Sequence, residues 1–356
     1  MSNVLQQRIS RGQGKVLAEG WKPTRLIFIS NQKTSVQFSN GKEAFGSCLR
    51  CYDTPCVSFL NEEVIPVNFE RFPADRNLEV CASGAITKTD NGAPTINSEL
   101  CILCGVCSSR CPVGAISLVS GKGARVEDSP NEAFLEVAVL DTEKNKSDRD
   151  LFKNLPTEGS QLLESDDTLA DVFDRLRHSW SLVGDRFPNL ISRNLLIGAG
   201  VGASIGRKGN NHMRMDIILS QMKQFYGVVE VEFGQEAVLD APRDMMDALA
   251  VLVSRYGWPL KSTTPIIISD ILPNRRSEYW HIIQDIANTL NVRIGTVTIF
   301  ALLLCNWNRM KLDLNNAQLF YADRYTESYR LEILEVFMGR ALHLTKSLRP
   351  QVDISK

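Results

Sequence analysis

Hydrophobic residues in the C-terminal half of the chain recur with two distinct periods. From Thr168 to Val183, the apolar positions Leu169, Val172, Phe173, Leu176, Trp180 and Val183 return every three or four residues. That is the spacing of one face of an α-helix, and Asp167 or Thr168 stands where its cap is expected. Farther on, "MDIIL" (215–219) and "GVVEVEF" (227–233) are short strand-like runs. In the second, Glu230 and Glu232 alternate with Val229, Val231 and Phe233, so both glutamates are expected on one face of a strand. "PRDMMDALAVLVSRYG" and "SEYWHIIQDIANTL" (277–290) read as helices, "PIIISDI" (265–271) as a strand, and the unbroken "VTIFALLLC" (297–305) as a buried strand. "ESYRLEILEVFMGRALHLTKSL" closes the chain as an amphipathic helix. The alternation predicts an α/β domain with a central mixed sheet flanked by helices.

The N-terminal part lacks this rhythm. "RLIFIS" (25–30) and "FLEVAVL" (134–140) are isolated strand candidates, and 141–168 is charged, polar and weakly periodic. The expected organisation is a first domain over 1–125, a polar linker or insertion over 126–168, and the α/β domain with its C-terminal helix over 169–356.

Composition narrows the classes. At 356 residues, with 44% hydrophobic and 23% charged residues, the chain reads as globular, and its formal charge of −1 gives no global argument for a polyanion or membrane surface. Any anion-binding face must be local. "MSNVLQQRIS" has no secretion-signal core, and the longest apolar run is far short of the ~20 residues that span a bilayer. A cytoplasmic protein without membrane association is expected, and there cysteines serve as metal ligands more often than as disulfides.

There are nine cysteines, eight of them between Cys48 and Cys111, and Cys305 stands alone as an inert buried thiol. The densest group is Cys101-x2-Cys104-x2-Cys107-x3-Cys111-Pro112. Three thiolates on one tight loop can hold three corners of an iron–sulfur cube, and the fourth corner must come from elsewhere. Upstream lie Cys48, Cys51 and Cys56 in "CLRCYDTPC", then Cys81 in "CASGAIT", whose tail repeats "CPVGAIS" at Cys111. Zinc, which also takes Cys-x2-Cys pairs, is the structural alternative, but it explains neither the Cys-Pro ending nor the paired "GAI" tails.

These residues resemble the two-cluster bacterial-type ferredoxin family over about 41–125. The resemblance implies an α+β ferredoxin-like module with two [4Fe–4S] clusters and crossed ligation. Cys48, Cys51, Cys56 and Cys111 would hold one cluster, and Cys81, Cys101, Cys104 and Cys107 the other. The first copy departs from the pattern, with four residues between Cys51 and Cys56 and 24 between Cys56 and Cys81. Stretching that loop costs roughly 2 kcal/mol in closure entropy, small beside the ~10–16 kcal/mol that structural metal sites release.

Two constellations compete in the α/β domain. Gly198, Gly200 and Ala203 in "LLIGAGVGASIG" satisfy the dinucleotide fingerprint, yet "GRKGNNH" follows where a helix is required. The other is acidic. Asp216 opens one expected strand, and Glu230 and Glu232 lie on the next. Carboxylates held together repel unless a divalent cation such as Mg²⁺ neutralises them. This pattern resembles the PD-(D/E)xK restriction-endonuclease-like superfamily over about 169–310, with Glu232 where that superfamily usually has lysine. The resemblance implies a Mg²⁺-dependent DNA endonuclease within a larger restriction or defence complex. Asp216, Glu230 and Glu232 would be catalytic, with Asp216 and Glu230 as metal ligands. Arg207, Lys208 and Arg214, beside His212, would contact DNA phosphates. The alternatives are a ferredoxin-type electron-transfer subunit whose second domain docks a partner oxidoreductase, or a solvated strand face with no site at all. His178, His281 and His343 fall on helices and read as packing or surface residues, whereas Trp258, Trp280 and Trp307 read as core.

Overall fold

A computed structural model describes residues 28–29, 36–37, 43–45, 48, 54–64, 72–90, 93–111, 115–119, 123–126, 166–209, 214–221, 225–234, 237–274, 276–307 and 312–314. The expected strand at 134–140, most of the polar 126–168 segment and the C-terminal helix lie outside these residues. The chain divides into two compact units, each built from three stretches. Unit 1 comprises Met1–Phe59, Glu79–Val183 and Asn306–Arg309; unit 2 comprises Leu60–Leu78, Gly184–Cys305 and Met310–Lys356. This differs from the linear division expected from the sequence: the helix that begins near Thr168 belongs to unit 1, and Leu60–Leu78 belongs to unit 2.

Unit 1 is assembled from short strands. Strands β1 (Phe28–Ile29), β6 (Ile116–Val119) and β7 (Gly123–Val126) form one sheet in the order β1-β6-β7. Strands β2 (Val36–Gln37) and β3 (Glu43–Phe45) pair antiparallel, as do β4 (Ile86–Lys88) and β5 (Pro94–Ile96), the latter two joined through Thr-Asp-Asn-Gly-Ala. Helix α1 (Val106–Arg110) is a short turn entered through Gly105, whose φ of 77° only glycine adopts without strain. Helix α2 (Asp166–Val183) has the predicted inner face, with Val172 and Leu176 buried. It starts at Asp166, so Asp167 and Thr168 are helical residues rather than caps. Arg175 explains why α2 joins unit 1: its Nη1 donates to the carbonyls of Ser98 (2.7 Å) and Cys101 (2.9 Å).

Unit 2 is the expected mixed sheet with flanking helices. Helix α3 (Phe187–Gly198) precedes β8 (Gly202–Ile205), β9 (Ile217–Gln221) and β10 (Phe225–Glu232). Helix α4 (Ala237–Tyr256), β11 (Thr263–Ser269), helix α5 (Glu278–Leu290), β12 (Gly295–Thr298) and helix α6 (Ile299–Trp307) follow. The sheet order is β12-β11-β10-β9-β8. The first three strands in sequence pair antiparallel, and β10, β11 and β12 run parallel. Every residue of β11 is buried, as for a parallel strand covered on both sides. Ile218, Val228 and Ile267 pack beneath Met245, Ala248, Leu249 and Leu252 of α4 and Ile283 of α5.

Two elements depart from the sequence reading. The expected strand 297–305 ends at Thr298, and from Ile299 the chain is helical. Thr298 Oγ1 accepts the amide of Ala301 (3.2 Å), an N-cap that starts α6. Its alanine and leucines are strong helix formers, and an apolar run alone does not distinguish buried helix from buried strand. The glycines of 195–206 join a helix to a strand, the reverse of the strand–glycine–helix order a dinucleotide site needs.

Gly227 fixes how closely β10 meets its neighbours. A Cβ there would stand 2.9 Å from Leu219 Cδ1 and 3.0 Å from the Thr264 carbonyl. Gly227→Ala is expected to destabilise unit 2 by about 1–3 kcal/mol, read as a lower urea midpoint at unchanged slope; an unchanged midpoint would show that the sheet opens freely at this point.

Candidate functional sites

The cysteines of unit 1 fall into two groups. Cys51 lies outside the described residues; the eight described cysteines are all free thiols. Burial raises the Cys56 thiol well above its ordinary value, and Cys111 and Cys48 nearby raise it further. Burial likewise raises Cys101, Cys104 and Cys107, and Cys81 acts electrostatically on all three. Cys48, Cys56 and Cys111 thus act on one another, as do Cys81, Cys101, Cys104 and Cys107. The two groups are neighbours, because Cys56 also acts on Cys107.

The internal repeat has a structural counterpart. The Cys81 sulfur accepts the amide of Ala85 at 3.2 Å, and the Cys111 sulfur accepts the amide of Ala115, also at 3.2 Å. In both copies the small residue four positions on turns its N–H onto the sulfur. Backbone amides of Leu103 and Ala124 point at Cys101, and those of Val106 and Cys104 at the Cys104 sulfur, each opposing the rise from burial. Leu103 is left-handed, at φ 59°, and its carbonyl accepts the indole N–H of buried Trp307 (3.0 Å). This donor set suits a metal cluster: buried thiols pushed upward become thiolates only beside compensating positive charge, and amide N–H groups already aim at the sulfurs.

Among the described residues, no three or more His, Cys, Asp or Glu side chains converge as ligands around a single metal ion. A cube asks for something else, because its four ligands bind four separate irons. Cys305 is completely buried in α6 and its thiol is pushed up to about 12, as expected of an inert thiol.

In unit 2 Asp216 and Glu230 are brought side by side, and with Glu232 they make no group of three ligands for one metal ion. Antiparallel register pairs Ile217 with Val229, which sets Asp216, one residue before β9, opposite Glu230. Asp216 Oδ2 accepts the backbone amide of Val231 and Oδ1 the side-chain amide of Asn189, both at 2.9 Å. Glu230 and Glu232 share the face of β10 that carries Val228, the side covered by α4. From α4, Asp244 acts on Asp216, Glu230 and Glu232 alike. Burial first, and then its acidic neighbours, push Glu230 up to about 10; Glu232, half-buried, rises to about 7 for the same reasons. Burial also raises Asp216, opposed by the Val231 amide, Asn189 and a hydrogen bond with Glu230. At neutral pH Glu230 therefore holds a proton, which it shares in a hydrogen bond with Asp216. Glu230 is 7% exposed, and its Oε2 has no hydrogen-bond partner. The cluster lies at the carboxyl end of β10, the end near which open α/β sheets place their ligands.

The expected phosphate contacts are arranged differently from one another. Arg207 and Lys208 are exposed just after β8; Arg214 is exposed but ion-paired with Asp247; His212 lies outside the described residues. His178 and His281 are exposed. Sequence reasoning missed Asn189 and Asp244 at the acidic site, and Arg110 and Arg175 beside the cysteines. Helix α3, which carries Asn189, did leave a signal: Pro188 in the first turn, followed by Leu190, Ile191 and Leu195 at helical spacing.

Comparison with known proteins bears on unit 1. Residues 94–117 match the 4Fe-4S binding domain family. A protein of Methanocaldococcus jannaschii described as an uncharacterized ferredoxin is 33% identical over 79 residues, covering 19% of this chain and 50% of that protein. The chain thus spans half the length of the curated relative it matches. No helix among the described residues is long and apolar enough to cross a membrane. The matched segment holds Cys101, Cys104, Cys107 and Cys111, and with it the chain contains a ferredoxin-type 4Fe-4S binding domain, making it an iron–sulfur protein.

Proposed function

We propose that unit 1 binds two [4Fe–4S] clusters and that unit 2 is a Mg²⁺-dependent DNA endonuclease. The observation that carries the nuclease reading is the buried, unpartnered Oε2 of Glu230 beside Asp216. Releasing the Glu230 proton would leave a buried carboxylate oxygen without a donor, which is costly unless a cation occupies the remaining direction. Asp216 and Glu230 would hold the ion; magnesium is typically bound by one or two carboxylates, with water and substrate phosphate supplying the rest. When bound there, magnesium supplies an oriented, acidified water for in-line attack on a phosphodiester. The chain's own residues do the positioning. Asn189 and the Val231 amide fix the Asp216 carboxylate, and Glu232, titrating near 7, can take a proton at neutral pH and release it again. Arg207 and Lys208 supply exposed positive charge for the nucleic-acid backbone.

A second reading, electron transfer to a partner oxidoreductase, is favoured by the likeness to a ferredoxin and by the proximity of the two cysteine groups. Cleavage decides between them. Anaerobically purified protein with Mg²⁺ or Mn²⁺ is expected to cut duplex or single-stranded DNA, and Asp216→Ala and Glu230→Ala to lose on the order of 10²-fold or more. Variants that cut as well as wild type would exclude these acids. Absence of cleavage with every metal, alongside reversible reduction that drives a partner's turnover, would establish the electron-transfer reading.

Metal content tests the cluster assignment. About eight irons per chain are expected, with Cys101→Ser and Cys56→Ser each losing about half and Cys305→Ser losing none. Zinc in place of iron, or about four irons in wild type, would refute it.

The acidic pair also makes a pH prediction. Folding raises Glu230 from 4.5 to about 10, so the folded state holds this proton more tightly than the unfolded state. The stability it contributes is complete below the unfolded value and is lost as pH rises through that window. Glu232 adds the same sign between 4.5 and about 7. In chelator, wild type is expected to melt at least about 2 °C lower at about pH 9 than at about pH 6, relative to Glu230→Gln. Mg²⁺ should recover the stability lost at the higher pH in wild type and leave the variant unchanged; parallel melting profiles would contradict the assignment.

A further inference from the structure

We infer that Arg110 is a positioning residue for the cluster assigned to Cys48, Cys51, Cys56 and Cys111: its buried guanidinium ties the helix end that carries Cys111 to the Pro55–Cys56 stretch and raises that cluster's reduction potential. The inference rests on the two-cluster reading. Arg110 ends α1, between Cys107 and Cys111 of the second copy, yet its contacts reach the first. Its Nε donates to the carbonyl of Pro55, 55 residues back in sequence, at 2.8 Å. Its guanidinium carbon lies 4.6 Å above the ring centre of Phe59. Arg110 is 4% exposed and Phe59 fully buried.

The loop it grips is the one that departs from the ferredoxin pattern, with four residues between Cys51 and Cys56. Thr54 adopts a φ of 37°, and the amides of Val57 and Ser58 fold back onto its carbonyl at 2.9 and 3.1 Å. A left-handed threonine is unfavourable for a β-branched residue and persists only where the surroundings impose it. The clamp on Pro55, with the stacked Phe59, supplies that constraint and fixes Cys56 between them. It stands beside Cys111, which follows Arg110 directly, so one helix end delivers both a ligand and the clamp to the first copy's loop.

The charge has a second consequence. The buried guanidinium, bonded to the carbonyl just before Cys56 and one residue before Cys111, sets a positive charge beside both ligands. One-electron reduction of a [4Fe–4S] cluster adds one negative charge, with an iron(III) becoming iron(II) and no bond or proton exchanged. A fixed cation in a low-dielectric site stabilises the more negative state and so raises the potential. The other cysteine group has a different neighbour, Arg175, which donates to the Cys101 carbonyl at 2.9 Å. The two clusters therefore sit in different fields, and removing Arg110 should move only one.

The experiment compares full-length wild type, Arg110→Lys and Arg110→Gln, purified anaerobically and titrated with dithionite through low-potential mediators. Iron content and electron paramagnetic resonance are followed together. Wild type is expected to hold about eight irons and show two couples. Arg110→Gln should lower one couple by about tenfold in its reduction equilibrium, about 59 mV for one electron, and leave the other in place. Arg110→Lys, which keeps the charge without the fork, should hold that couple near the wild-type value while losing iron from the same cluster faster under chelator. Should Arg110→Gln lose about four irons outright, the lysine variant decides: a retained couple at the wild-type potential supports the inference, and a lowered or absent one overturns it. It is also overturned if both couples move together or neither moves. About four irons in wild type would instead refute the two-cluster reading itself.

Discussion

Groups of like charge, buried close together, govern both halves of this molecule. In unit 1 burial raises Cys56, Cys101, Cys104 and Cys107, and neighbouring sulfurs raise them further. In unit 2 the same two causes act on Asp216, Glu230 and Glu232. Neither arrangement would arise from packing alone, since an apolar core disfavours ionised groups and like charges disfavour each other. Each is imposed by backbone geometry: left-handed Leu103 and Gly105 in the cysteine loop, and the β9–β10 register at the acids. Such strained electrostatics concentrate at functional sites. Each site is provided with donors that favour the ionised form, backbone amides on the sulfurs and the Val231 and Asn189 groups on Asp216.

Where the chemistry is local, the sequence was a sufficient guide. The spacing of Cys101, Cys104, Cys107 and Cys111 is a property of one loop, and the twin "GAI" tails correspond to twin amide-to-sulfur bonds from Ala85 and Ala115. Alternation on β10 likewise put Glu230 and Glu232 on one face. Long-range contributions were not legible. Nothing in the order of residues tells that Arg110 grips Pro55, that Asn189 reaches Asp216 across 27 positions, or that Asp244 faces the glutamates from the next helix. The stretch 297–305 was misread for another reason: once every position is apolar, periodicity carries no information, and the Thr298 cap decided the matter for helix.

The division into units was hidden as well. A linear reading expects one boundary, whereas the chain passes between the units several times. Leu60–Leu78 enters unit 2 because its backbone is taken up there. The Asp75 amide bonds Ile205, the Arg207 amide bonds Pro73, and buried Arg193 donates to the Asn77 carbonyl at 2.8 Å. This is the long interval between Cys56 and Cys81 that sets the first cysteine copy apart from the second. The insertion is therefore a structural segment of the other unit, which removes the puzzle of a 24-residue excursion inside a compact cluster loop.

The glutamate at the third position of the acidic motif alters how such a site would work. A lysine there would leave one fixed positive charge among the carboxylates and would itself meet an approaching phosphate. Glu232 reverses that sign, and Asp244 adds another carboxylate on the same side. On the nuclease reading, a phosphodiester approaching this face without cations would meet only repulsion. Positive charge would then have to arrive with the metal and from Arg207 and Lys208 at the rim. Dependence on divalent cation should then be steeper than in a lysine-bearing site. On the same reading Glu232, which burial and its acidic neighbours raise to about 7, would be left to pass a proton.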